Sequence, residues 1–228
     1  MEPGAVLSES WELYKRHWRH LLPIAFIVYV VVSLVSLLAT AALGWVGSII
    51  GALVSVAGVF LVQGALVEAV SDVRDGRADL SIGETFRRVQ PRLGTLVGAG
   101  LLATLGIAAG FVLLIVPGLV LLTFWAFIIP LIVLEGAGIG DSFGRSRALV
   151  RGNGWNVFGL IVLTFVILIA VGIVLGLVLL FLPDWLASFI SNLVSGALTA
   201  PFIAVVTTLA YFRLRERSSG VEPAVAPA

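Results

Sequence analysis

Few side chains in this sequence could take part in catalysis or ion transfer. Glu68 and Glu135 lie at the ends of long apolar segments, and an ionisable group at membrane depth is a functional candidate by default. Their positions close to the segment ends favour another interpretation, in which each carboxylate pairs with a nearby arginine such as Arg74 or Arg151. An enzyme acting on phospholipid would need further acidic groups to converge with these two.

No catalytic or cofactor motif is recognisable. The chain has no cysteine, which excludes disulfides and thiolate metal sites. His17 and His20 have a spacing that can bind a metal on a helix, but their basic surroundings favour a position at a membrane interface. There is no glycine-rich phosphate loop, serine elbow or zinc-protease helix. We therefore expect no metal, no cofactor and no enzymatic activity; the enzymatic alternative requires Asp72 and Asp75 to join the two glutamates.

Two amides lie inside the apolar segments. Gln63 and Asn192 would ordinarily hydrogen-bond between helices, an interaction that contributes about 0.6–2 kcal/mol in membranes. They are also the candidate residues of a polar path, together with Thr104 and Thr199. A small transporter or lipid-translocating protein is the functional alternative that such a path would support.

The composition indicates a membrane protein. Hydrophobic residues make up 60% of the 228 residues and charged residues only 12%, whereas soluble domains have about 25% charged residues. The formal net charge is +1, so the sequence predicts no nucleic-acid partner. The fold class that we expect is an all-α integral membrane protein.

One short sequence occurs three times and divides the chain into repeats. Residues 139–143 (IGDSF), 82–86 (IGETF) and 7–11 (LSESW) each have a large apolar, a small, an acidic, a hydroxyl and an aromatic residue in that order. Basic residues follow each copy, and a pair of long apolar segments follows these. Recurrence at a fixed interval indicates a repeated structural unit. We interpret the unit as an amphipathic helix followed by a transmembrane hairpin.

The repeats define the expected domain organisation. They cover residues 7–70, 82–134 and 139–212 within a single membrane domain, 1–217, and a disordered tail follows at 218–228. Crossing a bilayer takes roughly 20 residues. Each apolar segment is long enough to cross, which gives six transmembrane helices. Very short turns join the helices of each pair, at Gly44, at 116–118 and at 182–185. Pro130 is expected to kink the fourth helix or to remove one of its backbone hydrogen bonds.

The basic residues predict the topology. All fourteen Lys and Arg residues fall in segments 1–20, 71–92, 135–155 and 213–228. Because basic residues near helix ends remain in the cytoplasm, both termini are predicted to be cytoplasmic. Repeats of two spans keep one orientation, so these are parallel repeats. Three hairpins of this kind could close around a central axis, and the sequence leaves open whether a cavity lies there.

The three amphipathic segments supply the candidate binding residues. Helices with an aromatic face and a basic rim lie in membrane interfaces, and each Lys or Arg near an anionic surface contributes about 1 kcal/mol. A soluble helix packed on the protein's own loops is the alternative interpretation. The candidate contacts to lipid headgroups or to a partner are Trp11, Lys15, Arg16, Trp18, Arg19, Phe86, Arg87, Arg88, Phe143, Arg145, Arg147 and Trp155.

Two local patterns predict how helices start and pack. Ser81 and Glu84 have the spacing of a capping box, which begins a helix there. Glycines four residues apart allow close helix approach in lipid; we expect them to pack the hairpins together, and a dimer face is the alternative. These pairs are Gly47/Gly51, Gly94/Gly98, Gly106/Gly110 and Gly172/Gly176.

The middle of the chain resembles a known family. The resemblance rests on Pro117-Gly118, on the tripeptide 125–127 (WAF), on Pro130 and on residues 135–159 (EGAGIGDSFGRSRALVRGNGWNVFG). These resemble the bacterial glycerophosphoryl diester phosphodiesterase membrane-domain family and related uncharacterised proteins. The resemblance implies a six-helix membrane domain, in some relatives fused to a catalytic barrel of about 250 residues, for which this chain has no room. It implies no catalytic residue here.

Together these features predict a multi-pass protein of the bacterial cytoplasmic membrane that is not an enzyme. We expect a lipid-associated scaffold or accessory subunit whose partners are membrane lipids, with anionic lipids favoured, and a second membrane protein or a second copy of the chain.

Overall fold

The computed structural model describes residues 2–74, 80–179 and 184–218, and the side chains of all of these except 184–195. All regular secondary structure of the described residues is helical, and a short 3-10 turn at Gln90–Arg92 precedes the fourth helix. The helices are α1 Pro3–Leu43, α2 Trp45–Arg74, α3 Ile82–Val89, α4 Leu93–Leu113, α5 Ile115–Phe124, α6 Ile128–Glu135, α7 Ile139–Val150, α8 Gly154–Leu179 and α9 Asp184–Ser218.

Six helical segments of the described chain are long and apolar enough to cross a membrane, as the sequence predicted. Their mean hydropathy lies between 1.5 and 3.2. The segments are Pro3–Leu43, Trp45–Arg74, Ile82–Leu113, Ile115–Glu135, Gly154–Leu179 and Gly196–Ser218.

The first predicted amphipathic helix is not a separate element. It forms the beginning of α1, which continues into the first apolar segment and bends only at His17, where φ is −116° and ψ is 17°. A helix of 41 residues is about 60 Å long, roughly twice the thickness of a hydrocarbon core. Part of α1 must therefore extend beyond the apolar layer.

Single residues connect the helices of the first two hairpins. Gly44 alone joins α1 to α2, and its φ of 57° is a conformation that glycine adopts without strain. Leu114, which is extended, alone joins α4 to α5. The predicted break at 116–118 is thus misplaced, because Pro117 and Gly118 lie in the first turns of α5. A proline is tolerated there, since the first amide groups of a helix have no partner within the helix.

The fourth span is interrupted, not merely kinked. α5 ends at Phe124 and α6 begins at Ile128, so residues 125–127 separate the two helices. Pro130 is the third residue of α6, where its missing N–H again costs no helical hydrogen bond. Gly136 follows the last residue of α6 and is in the left-handed conformation. The backbone N–H groups of Gly136 and Ala137 donate to carbonyls of the last turn, as in common helix C-caps.

The last helix occupies the centre of the bundle. α9 packs against α1, α2, α6, α7 and α8, while α2 also contacts α3 and α4. Of the apolar stretch of α9, 67% is buried inside the protein, against 6% of that of α8. The described helices therefore surround a helix and not an open axis.

The core is concentrated at one end of the bundle, which also carries the charged side chains. The buried residues of α1 end at Val28, and those of α4 end at Gly100 apart from Gly110. Large apolar side chains beyond these points are exposed, among them Leu38 and Val112. Such a surface is expected to face lipid or another apolar partner.

The glycine pairs differ in their roles. Gly47 and Gly51 pack against Ala39 and Ser36 of α1, so this pair brings together the two helices of the first hairpin and not two hairpins, as had been expected. Gly98, Gly106 and Gly110 also have close neighbours, whereas Gly94 has none within 4 Å of an added Cβ. Gly172 and Gly176 on α8 likewise face open space.

Three predictions fall outside the described residues. They are most of the turn at 182–185, the side chain of Asn192, and the tail 218–228 apart from Ser218, which ends α9.

Candidate functional site

Ion pairs at the charged end tie the ends of several helices together. Glu9 at the start of α1 accepts a hydrogen bond from Arg213 of α9, and Arg74 at the end of α2 binds Glu216. The Arg74 guanidinium also lies 4.1 Å from the centre of the Phe212 ring. These contacts place the start of α1 and the ends of α2 and α9 at the same end of the molecule.

The two carboxylates at the ends of the apolar segments are both held by arginines. Glu68 accepts from Arg88 of α3 at 3.1 Å. Glu135 accepts from Arg145 and from the hydroxyl of Tyr211, and Arg215 lies 3.7 Å away. The predicted pairing with arginine is confirmed, but the partners are not Arg74 and Arg151.

Glu135 joins three helices through these contacts. Its side chain is 11% exposed, whereas that of Arg145 is 52% exposed. A carboxylate buried to this extent requires a compensating charge and hydrogen bonds, which α7 and α9 supply. The cluster therefore fixes the end of α6 against both helices.

The hydroxyl residue of each repeated pentapeptide has the same environment. Ser10, Thr85 and Ser142 are fully buried. Each donates to a backbone carbonyl three or four residues earlier, namely those of Val6, Ser81 and Ile139. Bonding within its own helix satisfies the hydroxyl, so a small residue can sit in the core at this position.

The capping box at the second copy is present as predicted. Glu84 N–H donates to the Ser81 hydroxyl, and the Ser81 backbone N–H donates to the Glu84 carboxylate. Both groups satisfy donors that the first turn of a helix leaves free.

The aromatic residues of the three copies differ in exposure. Trp11 is 49% exposed, and Phe86 is partly buried against the main core. Phe143 packs edge-on against Trp125, with ring centres 4.9 Å apart. Phe86 and Phe143 thus contact the protein's own core, while Trp11 and Trp18 remain accessible.

The predicted basic contacts fall into two groups. Lys15, Arg88 and Arg145 form ion pairs with Glu12, Glu68 and Glu135. The other group has no carboxylate within 4.0 Å among the described residues, and all of its members are exposed. It consists of Arg16, Arg19, Arg87 and Arg147, together with Arg151, which had been expected to pair with a glutamate.

An open cavity lies beside the exposed side chain of Trp155. The cavity has a volume of about 620 Å³ and lies between α5 and the beginning of α8. Trp155, 86% exposed, stands at its edge and packs against Phe158 with ring centres 6.0 Å apart. Its lining residues are Val116, Leu119, Val120, Thr123, Phe124, Gly152, Asn153, Gly154, Trp155, Asn156 and Phe158.

A smaller, basic cavity adjoins the first. It measures about 420 Å³ and is lined by Gly144, Arg147, Ala148 and Arg151, and by Phe124, which also lines the larger cavity. The Arg147 guanidinium lies 5.7 Å from the centre of the Phe124 ring. An apolar groove and two arginines are therefore contiguous.

The candidate polar path stays a prediction, because the side chain of Asn192 lies outside the described residues. Gln63 lines none of the described cavities. Thr104 is exposed and donates to the Gly100 carbonyl of its own helix. A third cavity, of about 370 Å³, lies within the first hairpin and contains Ser36, whose hydroxyl donates to the Gly51 carbonyl.

Sequence reasoning missed the role of Ser146. This residue of α7 is fully buried. Its hydroxyl donates to the Phe124 carbonyl at 2.7 Å and accepts from the Phe127 N–H at 3.2 Å. It thereby bridges the interruption between α5 and α6. The buried residues of α7 are Ser142, Ser146 and Val150, so the signal was a second hydroxyl one turn after that of the repeated pentapeptide.

Six apolar helices with the charged side chains at one end define a multi-pass membrane protein. Residues 42–214, most of the chain, match the model of a family described as a domain of unknown function, DUF7847. The chain belongs to that family. No curated protein and no solved structure matches it. The resemblance to the phosphodiesterase membrane-domain family is not among these matches and stays a prediction.

Proposed function

We propose that this chain is a non-enzymatic lipid-associated scaffold or accessory subunit of the bacterial cytoplasmic membrane. The observation that carries the proposal is the division of the basic residues into two groups. Paired arginines hold the helices together, and exposed arginines have no carboxylate within 4.0 Å among the described residues. Unpaired surface arginines beside exposed tryptophans are suited to anionic headgroups.

The orientation belongs to the same proposal. With the charged end in the cytoplasm, the exposed arginines would face the negatively charged inner leaflet. Arg16 and Arg19 near Trp18, and Arg87 on α3, would then lie at headgroup level. The three parallel repeats would each bring one basic segment to this surface, a view supported by the shared environment of Ser10, Thr85 and Ser142.

The proposal that the chain is not an enzyme rests on the ion pairing of its carboxylates. Glu68 and Glu135, the strongest candidates for acid-base chemistry, are both held by arginines. The transporter alternative has less support, since Gln63 and Thr104 line none of the described cavities.

Lipid and protein recovery after mild detergent extraction tests the proposal. The native chain should retain an excess of anionic lipid, or a specific membrane protein, when analysed by mass spectrometry. Substituting Arg16, Arg19 and Arg87 by Gln should reduce that excess by up to about a hundredfold, because each basic residue near the surface contributes about 1 kcal/mol. The matched variant with Lys at the three positions keeps the charge and should behave like the native chain.

Two outcomes would contradict the proposal. One is equal recovery of lipid and protein by the native chain and the Gln variant. The other is turnover of phospholipid by the purified chain.

A further inference from the structure

We infer that the groove between α5 and α8 binds one anionic phospholipid, with an acyl chain in the larger cavity and the phosphate at Arg147 and Arg151. This inference rests on the proposed function and gives it a specific site. The evidence comes from the groove's lining, from its charges and from its position along the helices.

The larger cavity is suited to a hydrocarbon chain. The α5 side of the groove consists of Val116, Leu119, Val120 and Phe124. Thr123 is the polar exception, and its hydroxyl already donates to the Leu119 carbonyl at 2.8 Å. A volume of about 620 Å³ is in the usual range for ligand pockets. The apolar lining favours an acyl chain over a polar solute.

The adjoining cavity is suited to a phosphate. Arg147 and Arg151 lie one helical turn apart, at the end of α7 and just beyond it, and both line this cavity. Neither has a carboxylate within 4.0 Å among the described residues, although Arg145 nearby is bound to Glu135. Guanidinium groups bind phosphate oxygens through paired charge-assisted hydrogen bonds. Two unpaired arginines therefore provide the charge that complements an anionic headgroup.

The beginning of α8 adds to the positive potential at the junction. Gly154, Trp155 and Asn156 are the first residues of this helix of 26 residues, and they line the larger cavity. The first amide groups of a helix lack intrahelical partners and attract anions. Gly152, with a φ of 87°, and Gly154 have no neighbour within 4 Å of an added Cβ, so the backbone at these two positions is open.

The order of these features along the membrane normal matches a phospholipid. Phe124 lines both cavities, so the apolar part and the basic part are continuous. Arg147 and Arg151 precede the apolar segment of α8, and Trp155 stands where that segment begins. Tryptophan is enriched at the interface between headgroups and acyl chains. The phosphate end of the groove therefore lies at the charged end of the protein and the apolar end lies toward the bilayer interior.

Native mass spectrometry of the full chain in detergent tests this site. The probes are phosphatidylglycerol and, as the zwitterionic comparison, phosphatidylcholine of the same acyl chains. Replacing Arg147 and Arg151 by Gln should weaken the first bound phosphatidylglycerol about tenfold or more, since a hydrogen bond to a charged group contributes about 1.5–3 kcal/mol, and should leave phosphatidylcholine unchanged. Replacing Arg92 and Arg217 by Gln removes the same charge from arginines that also lack an ion pair in the described residues, and binding should stay within about twofold of native.

A second variant tests the apolar part without changing charge. Val120→Trp places a large ring at a half-exposed position of the groove and should weaken both lipids, with an unchanged elution volume and Tm showing that the fold is intact. The inference is overturned if the Arg147/Arg151 variant behaves like the Arg92/Arg217 variant, or if Val120→Trp binds both lipids normally. In either case the proposed function still stands if the chain retains anionic lipid through other arginines, and only the site between α5 and α8 is wrong. A native chain with no preference for phosphatidylglycerol would overturn both.

Discussion

Single hydroxyl groups decide how this apolar protein tolerates its irregular backbone. Between α5 and α6 the helix is interrupted. Backbone N–H and carbonyl groups that lose their helical partners there are buried among apolar side chains. Ser146 satisfies one donor and one acceptor there, the Phe127 N–H and the Phe124 carbonyl. Irregular backbone at membrane depth is tolerated only where protein groups satisfy it.

Replacing Ser146 by Ala should therefore destabilise the protein by about 1–3 kcal/mol, the cost of leaving buried polar groups without partners. An SDS titration in mixed micelles measures this loss. Ser48→Ala removes an exposed hydroxyl that donates to the Gly44 carbonyl, and it should change stability by less than about 0.5 kcal/mol. A Ser146→Ala variant as stable as Ser48→Ala would show that the bridge contributes nothing.

At the scale of elements, glycine sets the distance between the two helices of the first hairpin, α1 and α2. A Cβ added at Gly47 would lie 1.8 Å from the Ala39 carbonyl oxygen, which belongs to the backbone of α1. No rotamer change can relieve such a contact. The helices would have to separate along their length.

Gly47→Ala should accordingly cost about 1–3 kcal/mol through overpacking, seen as a lower Tm in a fixed detergent. Gly172→Ala is the matched control, because that position on α8 faces open space. It should raise stability by about 0.5–1 kcal/mol, since alanine is favoured over glycine within a helix. Equal Tm shifts for the two variants would contradict the packing assigned to Gly47.

The elements also show how far the sequence could be interpreted. Apolar length predicted the six spans, and the spacing of Ser81 and Glu84 predicted the start of α3, because both signals are local. The break after α4 was misplaced because proline and glycine mark turns by composition, whereas Pro117 fits the first turn of α5. The partners of Glu135 and the role of Ser146 depend on how α6, α7 and α9 pack, and no local pattern encodes that packing.

At the scale of the whole molecule, the paired charges and the buried core lie at the same end. If that end is cytoplasmic, as the positive-inside rule predicts, Gly44 and its neighbours lie on the opposite side of the membrane. The absence of native cysteine makes this orientation simple to measure.

Trp45→Cys, in the exposed residue after Gly44, should react with a membrane-impermeant maleimide in intact cells. Glu12→Cys, in an exposed residue of the charged end, should react only after the cells are opened, because the bilayer separates it from the reagent. The reverse pattern would place the charged end outside and remove the proposed contact with the inner leaflet.

The one-sided core has a mechanical consequence. Ion pairs and buried side chains hold the hairpins together where they are charged, whereas α1 beyond Val28 packs closely against α2 and most of α8 is exposed. The ends of the hairpins that lie away from the charged end can thus tilt relative to one another without breaking the ion pairs. Helices commonly adjust to bilayer thickness by tilting, so this architecture lets the protein reside in membranes of different thickness while the surface formed by its charged end keeps its shape.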